Sequence, residues 1–390
     1  MNQYNAVSTS SFIRKAGLVM ACLFFILVIM INLVPFLDGR NDLMDFGSFY
    51  ASGLKARDGE NPYDPNSEYI FEIDFSRVGA GGKMVNLNPP VSIPIFEYLS
   101  RFEPHGVLIF WQITAAALYT GIVILLTVFY RQNTTPVRFI WAFALAGFWH
   151  TIVLGQVYIL LLVFAVFGWM FLDRCKYVAA GIAIGIVIAL KPNFIVWALF
   201  LVVGGYYAAA LIAVITSLVI SLVPAFVYGI NIYSQWLEAS TLSIRTLTMP
   251  GNSSLLGLTS RFQSISLGVI LSVVFILALL ILSKQKSPES MTGSEYSSAL
   301  GIMASLLASP ISWTGYTILL LPVFFGLKKW TPPVAIGAII LAIPFQIILQ
   351  FFQTSFVSYV IFGWFYGWGI LSLLGAVVKN TIMTSSIQTS

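Results

Sequence analysis

The chain has 390 residues, of which 58% are hydrophobic and only 9% charged. Soluble domains carry about 25% charged residues, so this composition excludes a soluble globular protein and points to an integral membrane one. The net charge of +5 comes from basic residues scattered in twos along the chain, which suits loop anchors and not a nucleic-acid surface.

The first apolar run is Ala16 to Leu37. It is long for the hydrophobic core of a signal peptide, and no small-residue cleavage site follows it, so it reads as a retained first span. Arg14 and Lys15 precede it and set the N-terminus on the cytoplasmic side. The two cysteines, Cys22 and Cys175, suggest neither a disulfide framework nor a metal site.

A polar loop follows, over residues 38–103. It holds eleven of the fifteen acidic residues of the chain. The positive-inside rule accounts for an acidic external loop but not for the order within it. Leu43, Phe46, Tyr50, Leu54 and Arg57 recur at intervals of three and four, which predicts an amphipathic helix over Asp42–Asp58 that could lie on the bilayer surface. Asp42 is its expected N-cap. Asp45, Ser48, Ser52 and Lys55 share another face, suited to line a cavity. Asp45 reads either as a first-turn acid favoured by the helix dipole or as a catalytic carboxylate, and the pattern leaves both open. Gly59 ends the helix, "NPYD" turns the chain, and the prolines of "NLNPPVSIPIFEYL" defer a second interfacial helix to Val91–Leu99.

Further spans are expected at 104–130, 136–150, 155–173, 176–190, 193–204, 206–228, 264–283, 296–309, 312–327, 333–352 and 355–378. The short run 193–204 is required by parity. With it, Arg131, Arg138, Arg174, Lys176, Lys284, Lys286, Lys328, Lys329 and Lys379 all fall on the cytoplasmic side. The chain is then a single membrane domain over 1–390, with a second extracytoplasmic loop at 229–263. The fold class is an all-α polytopic bundle of about 12 transmembrane helices, with amphipathic helices in the large first extracytoplasmic loop.

This topology places Asp45, His150, Gln156, Lys191, Asn252, Arg261 and Ser309 at or near the outer face. Lys191 closes an apolar run just before Pro192; a cation there serves function or snorkels to the headgroups. Arg261 stands on the side where basic residues are disfavoured. His150 and Gln156 flank the tight turn "HTIVLGQ", the histidine reading as a hydrogen-bonded spacer or as a ligand contact. His105 reads as structural, and "WFYGWG" at 364–369 as helix packing through glycines. No His/Cys pattern suggests zinc. Carboxylates at Asp38, Asp42 and Asp45 beside a phosphate leave a divalent cation open, but no metal or cofactor is assigned. No glycine loop has the spacing of a phosphate cradle, which argues against a nucleotide-sugar donor.

"DFGSFYASGLKARDGENPYD" resembles the first-loop motif of glycosyltransferase family 87, the polyprenyl-phosphate-dependent mannosyltransferases of the glycosyltransferase C superfamily. In the same order, "NLNPPVSIPIF" resembles the family's aromatic-Pro-Pro segment, and "LGQVYILLLVF" its Gly-Gln-x-Asn stretch, with Tyr158 in place of Asn. "AGIAIGIVIALKPNF" is similar to its glycine-rich span ending in Lys-Pro, "GNSSLLGLTSRF" to its Gly-Asn-Gln-Ser-Leu…Arg loop, and "ASPISWTGYTILLLP" to its Ser-Pro-x-Ser-Trp-Asp-His segment. Thr314 and Gly315 stand where that last motif has Asp and His.

The resemblance implies a glycosyltransferase C-like bundle in the inner (plasma) membrane, with its active site facing outward. It implies inverting transfer of a hexose, mannose being the family's sugar, from a polyprenyl monophosphate to a hydroxyl of a lipid-linked or cell-envelope glycan. Asp45 becomes the expected general base; Lys191, Arg261 and His150 the donor-phosphate contacts; and Gln156, Asn252, Tyr63 and Asn88 the substrate contacts. The partners are the polyprenyl-phosphate sugar, the glycan acceptor and membrane lipids, with no nucleic acid. The competing reading is a transporter or flippase of lipid-linked sugar without chemistry. The lack of a convincing repeat between the halves, and polar residues gathered at one end of the spans, count against it.

Overall fold

The computed structural model of the chain describes residues 2–37, 43–75, 80–285, 287–288, 290–352 and 354–388. It is a helical bundle with one small hairpin. Helix α1 (Asn2–Leu37) packs on α5, and most apolar side chains from Leu18 to Val34 are exposed. The first loop then folds as α2 (Met44–Arg57), the antiparallel strands β1 (Glu72–Phe75) and β2 (Ala80–Lys83), and a 3₁₀ turn at Pro90–Ser92 leading into α3 (Ile93–Leu99). The hairpin pairs Glu72 with Lys83 and departs from the all-α expectation. Its strands are four residues each and rich in glycine on one side, too short for a legible period of two.

The bundle continues as α4 (Pro104–Phe129), α5 (Pro136–Ala144), α6 (Ala146–Leu154), α7 (Tyr158–Asp173) and α8 (Tyr177–Leu190). Next come α9 (Ile195–Val203), α10 (Tyr207–Tyr228), α11 (Asn231–Leu242), α12 (Leu255–Ser260), α13 (Ile265–Ser283) and α14 (Gly293–Leu307). The chain closes with α15 (Leu321–Gly326), α16 (Pro332–Ala342), α17 (Phe345–Phe351), α18 (Phe356–Gly363) and α19 (Phe365–Gln388). Their starts follow local chemistry. Glu103 caps α4 by accepting from the His105 and Gly106 amides, with Pro104 in the first turn. Thr292 and Glu295 form a capping box on α14, a helix buried along its whole length at the centre of the bundle.

Among the described residues five segments are long and apolar enough to cross a membrane: Ala16–Val34, Pro104–Phe129, Pro136–Leu154, Tyr207–Tyr228 and Ile265–Ser283. Two bent pairs raise this to seven. The expected runs 155–173, 176–190, 193–204 and 312–327 are shorter apolar helices. The expected span 333–352 breaks by 84° between α16 and α17. Pro344 is the cause: it forces Ile343 into extended backbone, ψ 125°. The expected span 355–378 bends by 54° between α18 and α19. There the Gly363 carbonyl is taken from the helical ladder by the Arg261 guanidinium.

Helix α2 is not a surface helix. Phe46, Phe49 and Tyr50 are buried on its apolar side, and Asp45, Ser48 and Ser52 are buried on its polar side. The rings of Phe46 and Phe49 pack on Phe96 of α3, with centroids 6.1 and 5.2 Å apart. The expected N-cap, Asp42, lies outside the described residues; the helix begins beside Leu43, which makes no capping bond. The turn after α6 fixes how closely α2 approaches. Gly155 has φ +66°, and a Cβ there would sit 2.7 Å from the Phe46 Cβ. Only glycine meets both demands.

Gly155→Ala is therefore expected to cost more than about 1 kcal/mol, seen as a lower melting temperature in detergent. Unchanged melting of Gly155→Ala would show that α2 is not held at this distance.

Candidate active site

A cavity of about 330 Å³ gathers side chains from five regions of the chain. Asp45, Ser48 and Phe49 come from α2, and Met84, Val85, Leu87, Asn88 and Pro89 from the rest of the first loop. Gln156 and Tyr158 enter from the turn into α7, Lys191, Pro192 and Asn193 from the break after α8. Trp236, Leu237 and Ser240 of α11, with Ser309, Pro310, Ile311, Trp313 and Tyr316, complete the lining.

Local backbone rules place each key group. Asp45 lies in the first turn of α2, where its carboxylate makes no capping bond. Instead the Gln156 side-chain amide donates to Asp45 Oδ2. Gln156 is aimed there because the left-handed Gly155 ends α6 and the Gln156 amide bonds back to the Thr151 carbonyl at 2.9 Å. Lys191 leaves the helix because Pro192 follows: its backbone is extended, φ −147° and ψ 94°, as a residue before proline prefers. The turn thus projects an ammonium from the end of an otherwise apolar helix.

Electrostatics are set by burial. Asp45 is 9% exposed and Lys191 likewise 9%. Burial pushes the Asp45 carboxyl up to about 6, although the Gln156 hydrogen bond and the Lys191 charge both pull it down. Burial also lowers the Lys191 ammonium to about 7, against the opposing pull of Asp45. Among the described residues Lys191 has no carboxylate within salt-bridge distance. Its nearest partners are ring faces: Nζ lies 5.6 Å from the Tyr158 centroid and 5.5 Å from that of Tyr316. The pair is a base and an acid, both titrating near neutrality, in one cavity.

The other expected substrate contacts divide. Asn88 lines the cavity, and its Oδ1 is buried with no hydrogen-bond partner among the described residues. Tyr63 lies behind it, donating through its hydroxyl to the Asn88 carbonyl at 2.9 Å. Ser52, from the polar face of α2, accepts from Asn86 Nδ2 at 3.1 Å, and the Asn88 amide donates to Asn86 Oδ1 at 2.9 Å. The polar stripe of α2 therefore anchors the segment that presents Asn88.

Asn252, Arg261 and His150 are not among the cavity-lining residues. Asn252 is fully buried and staples two motifs: its Oδ1 accepts from the Ser254 and Ser312 amides at 3.1 and 2.9 Å, and its Nδ2 donates to the Leu247 carbonyl at 3.0 Å. Arg261 donates to the carbonyls of Gly257, Met249 and Gly363 at 2.5, 2.9 and 2.7 Å, with its guanidinium over the Tyr359 ring. His150 packs edge-on against Phe345 of α17. Its Nδ1 has no partner among the described residues. Aromatic packing likewise explains "WFYGWG": Trp364 is buried and donates to the Ser254 carbonyl at 2.7 Å, and a Cβ on Gly367 would strike its indole.

Four lining aromatics, Phe49, Trp236, Trp313 and Tyr316, do not stand out in the sequence. Trp313 and Tyr316 sit inside the segment "SPISWTGY", where their side chains could have been read with the motif. Trp236 lies on α11, a helix carrying no strong apolar period within a loop. A larger cavity, about 410 Å³, lies at the far end of α4 and is lined by Tyr130, Arg131, Asn133, Glu295 and Lys328 among others. It holds none of the expected site residues. Among the described residues no group of three or more His, Cys, Asp or Glu side chains gathers as a metal site; Asp38 and Asp42 lie outside the described residues.

The family model described as glycosyltransferase family 87 matches residues 86–310, more than half of the chain. The matched range contains Asn88, Gln156, Lys191, Asn252 and Arg261; Asp45 precedes it. No curated protein and no solved structure matches the chain.

Arg261→Lys is expected to destabilise the protein, because an ammonium cannot reach three divergent carbonyls. Leaving buried carbonyls unpaired costs about 1–3 kcal/mol each, so melting in detergent should fall by several degrees. Melting equal to wild type, with lost binding of a polyprenyl phosphate, would place the guanidinium in the cavity instead.

Proposed function

The chain belongs to glycosyltransferase family 87 and is a membrane glycosyltransferase; on that premise we propose that the cavity moves a hexose from a polyprenyl monophosphate to a hydroxyl of a lipid-linked or cell-envelope glycan. The observation that carries this reading is the juxtaposition of Asp45 and Lys191, two opposite charges lining one cavity whose walls are otherwise neutral. The acceptor oxygen attacks the anomeric carbon while its proton passes to the Asp45 carboxylate. The bond from that carbon to the phosphate oxygen breaks, and the electron pair leaves on the phosphate, where Lys191 meets the growing charge. A single displacement inverts the anomeric centre.

The cavity suits a monophosphate leaving group. It offers one cation among its described lining residues, whereas a nucleotide diphosphate carries charge that calls for several donors or a metal. Trp236, Leu237, Trp313 and Ile311 give it an apolar wall beside the polar floor, which suits a lipid-linked donor. The unpaired Asn88 Oδ1 is placed to accept from a sugar hydroxyl. Mannose is the sugar suggested by the sequence motifs.

A base that titrates near the working pH is efficient, because it is ionised yet still basic. Activity should rise with pH through about 6 as Asp45 ionises and fall above about 7 as Lys191 loses its proton. A bound phosphate favours the ammonium and raises its pKa, so the alkaline limb of kcat should lie above that of kcat/KM. Lys191→Arg, which stays protonated, should move the alkaline limb upward. Asp45→Asn keeps the shape but cannot take a proton; turnover with radiolabelled polyprenyl-phosphate sugars should drop about a hundredfold or more. Near-wild-type turnover in Asp45→Asn would sink the assignment of the base. No transfer by the wild type from any polyprenyl-phosphate sugar, with movement of intact lipid-linked sugar across vesicles, would favour the transporter reading.

The cavity is proposed to open on the extracytoplasmic side of the inner membrane, because Arg131, Lys284, Lys328, Lys329 and Lys379 cluster at alternate loops away from the acidic first loop. In a Cys22→Ser, Cys175→Ser background, Glu68→Cys should react with a membrane-impermeant thiol reagent in intact cells or spheroplasts. Lys284→Cys should not. The reverse pattern would invert the topology.

A further inference from the structure

Lys191 is a buried cation with an unusual set of neighbours. Among the described residues its side chain makes no hydrogen bond and no ion pair, and it faces the rings of Tyr158 and Tyr316 at 5.6 and 5.5 Å. Those two rings stack on each other with centroids 4.2 Å apart and planes 29° from parallel. Both are nearly fully buried, at 2% and 4% exposed. The stack is not a filler of spare space. Tyr316 lies in the 3₁₀ segment Thr314–Leu320, whose backbone must come close to α6 and α7 for the rings to meet. Gly315 permits it: a Cβ there would lie 2.4 Å from Tyr158 Cδ2 and 3.0 Å from Thr151 Oγ1.

We propose that the stacked Tyr158–Tyr316 pair is a cation-holding platform that positions the Lys191 ammonium in the cavity for the phosphate of the donor. The inference rests on the reading of Lys191 as the phosphate contact. A lysine ammonium on a flexible four-carbon stem would otherwise sample many directions. The negative faces of two aromatic rings attract it within about 6 Å of their centroids, and the attraction grows where water is excluded. Ring faces hold the charge without neutralising it, as a carboxylate partner would. The three hydrogens of the ammonium thus remain available to phosphate oxygens. Tyr158 and Tyr316 act through Lys191 and are positioning residues.

The test uses the full chain purified in detergent and farnesyl phosphate, a short polyprenyl monophosphate that carries no sugar. Its binding is followed by tryptophan fluorescence, which Trp236 and Trp313 of the cavity report. Tyr316→Phe keeps the ring and should bind within about threefold of wild type. Tyr316→pentafluorophenylalanine keeps the shape but reverses the charge of the ring face, and should bind about tenfold more weakly than Tyr316→Phe. Lys191→Ala should also weaken binding about tenfold or more. In the Lys191→Ala background the fluorinated and Phe variants should differ by less than about twofold, because the group they act through is gone. The same comparison at Tyr158 provides a second arm. An equal fluorination effect with and without Lys191 would overturn the platform, since the rings would then act on cavity shape. So would no fluorination effect at all. If wild type fails to bind, or Lys191→Ala binds as wild type does, the phosphate reading of Lys191 itself fails, and the two failures are told apart.

Discussion

A carboxylate taken out of water inside a protein must find a donor or give up its charge, and the hydrogen bond from Gln156 to Asp45 answers that demand. Much of the cavity's construction follows from it. The bond needs α2 folded down onto the bundle, which the Phe46 and Phe49 rings on α3 secure. It needs α6 to stop and reverse at once, which the left-handed Gly155 allows. It leaves the second charge, Lys191, close enough to be felt by Asp45 but not paired with it. A direct ion pair would quench both groups. Held apart, they stay near neutrality and each keeps a free side toward the space between them.

The sequence was most legible where backbone rules act alone. Lys191 before Pro192, the helix over α2 with Asp45 and Ser48 on one face, and the turn at Gly155–Gln156 are all readable from neighbouring residues. The largely helical membrane architecture was legible from composition and the apolar runs, but the short hairpin was not. What was not legible depends on partners far along the chain. Arg261 looks like an anion contact in sequence because a cation is costly on that side of a membrane; its cost is met by carbonyls from three separate segments. Asn252 looks like a ligand because "GNSSLLGLTSRF" resembles a family motif, yet its amide is consumed in stapling Ser254 to Ser312. His150 reads as a rim residue, but the 84° break at Pro344 carries α17 back over it. An apolar run reads as a straight span, and the breaks of 84° and 54° redirect those contacts.

Two places where the sequence departs from the motifs it resembles prove to be one feature. Tyr158 is large where an amide is usual, and Gly315 is bare where a ring is usual. The space above Gly315 is filled by the Tyr158 ring. Each departure makes room for, or takes up room left by, the other. Packing at interior density leaves little alternative, since neither a side chain at 315 nor an empty slot beside Tyr158 would be tolerated without movement.

The Arg261–Gly363 bond has a consequence for how the protein is made. Its two ends are 102 residues apart, and Gly363 belongs to the final bent pair of helices. Trp364, beside it, donates to the Ser254 carbonyl across a similar separation. During synthesis the loop carrying Arg261 therefore waits, its guanidinium incompletely paired, until the last helices have been inserted. Biogenesis is thereby coupled to length: the segment that staples the Ser309–Tyr316 wall of the cavity reaches its final hydrogen bonding only after residues through Trp364 have been made.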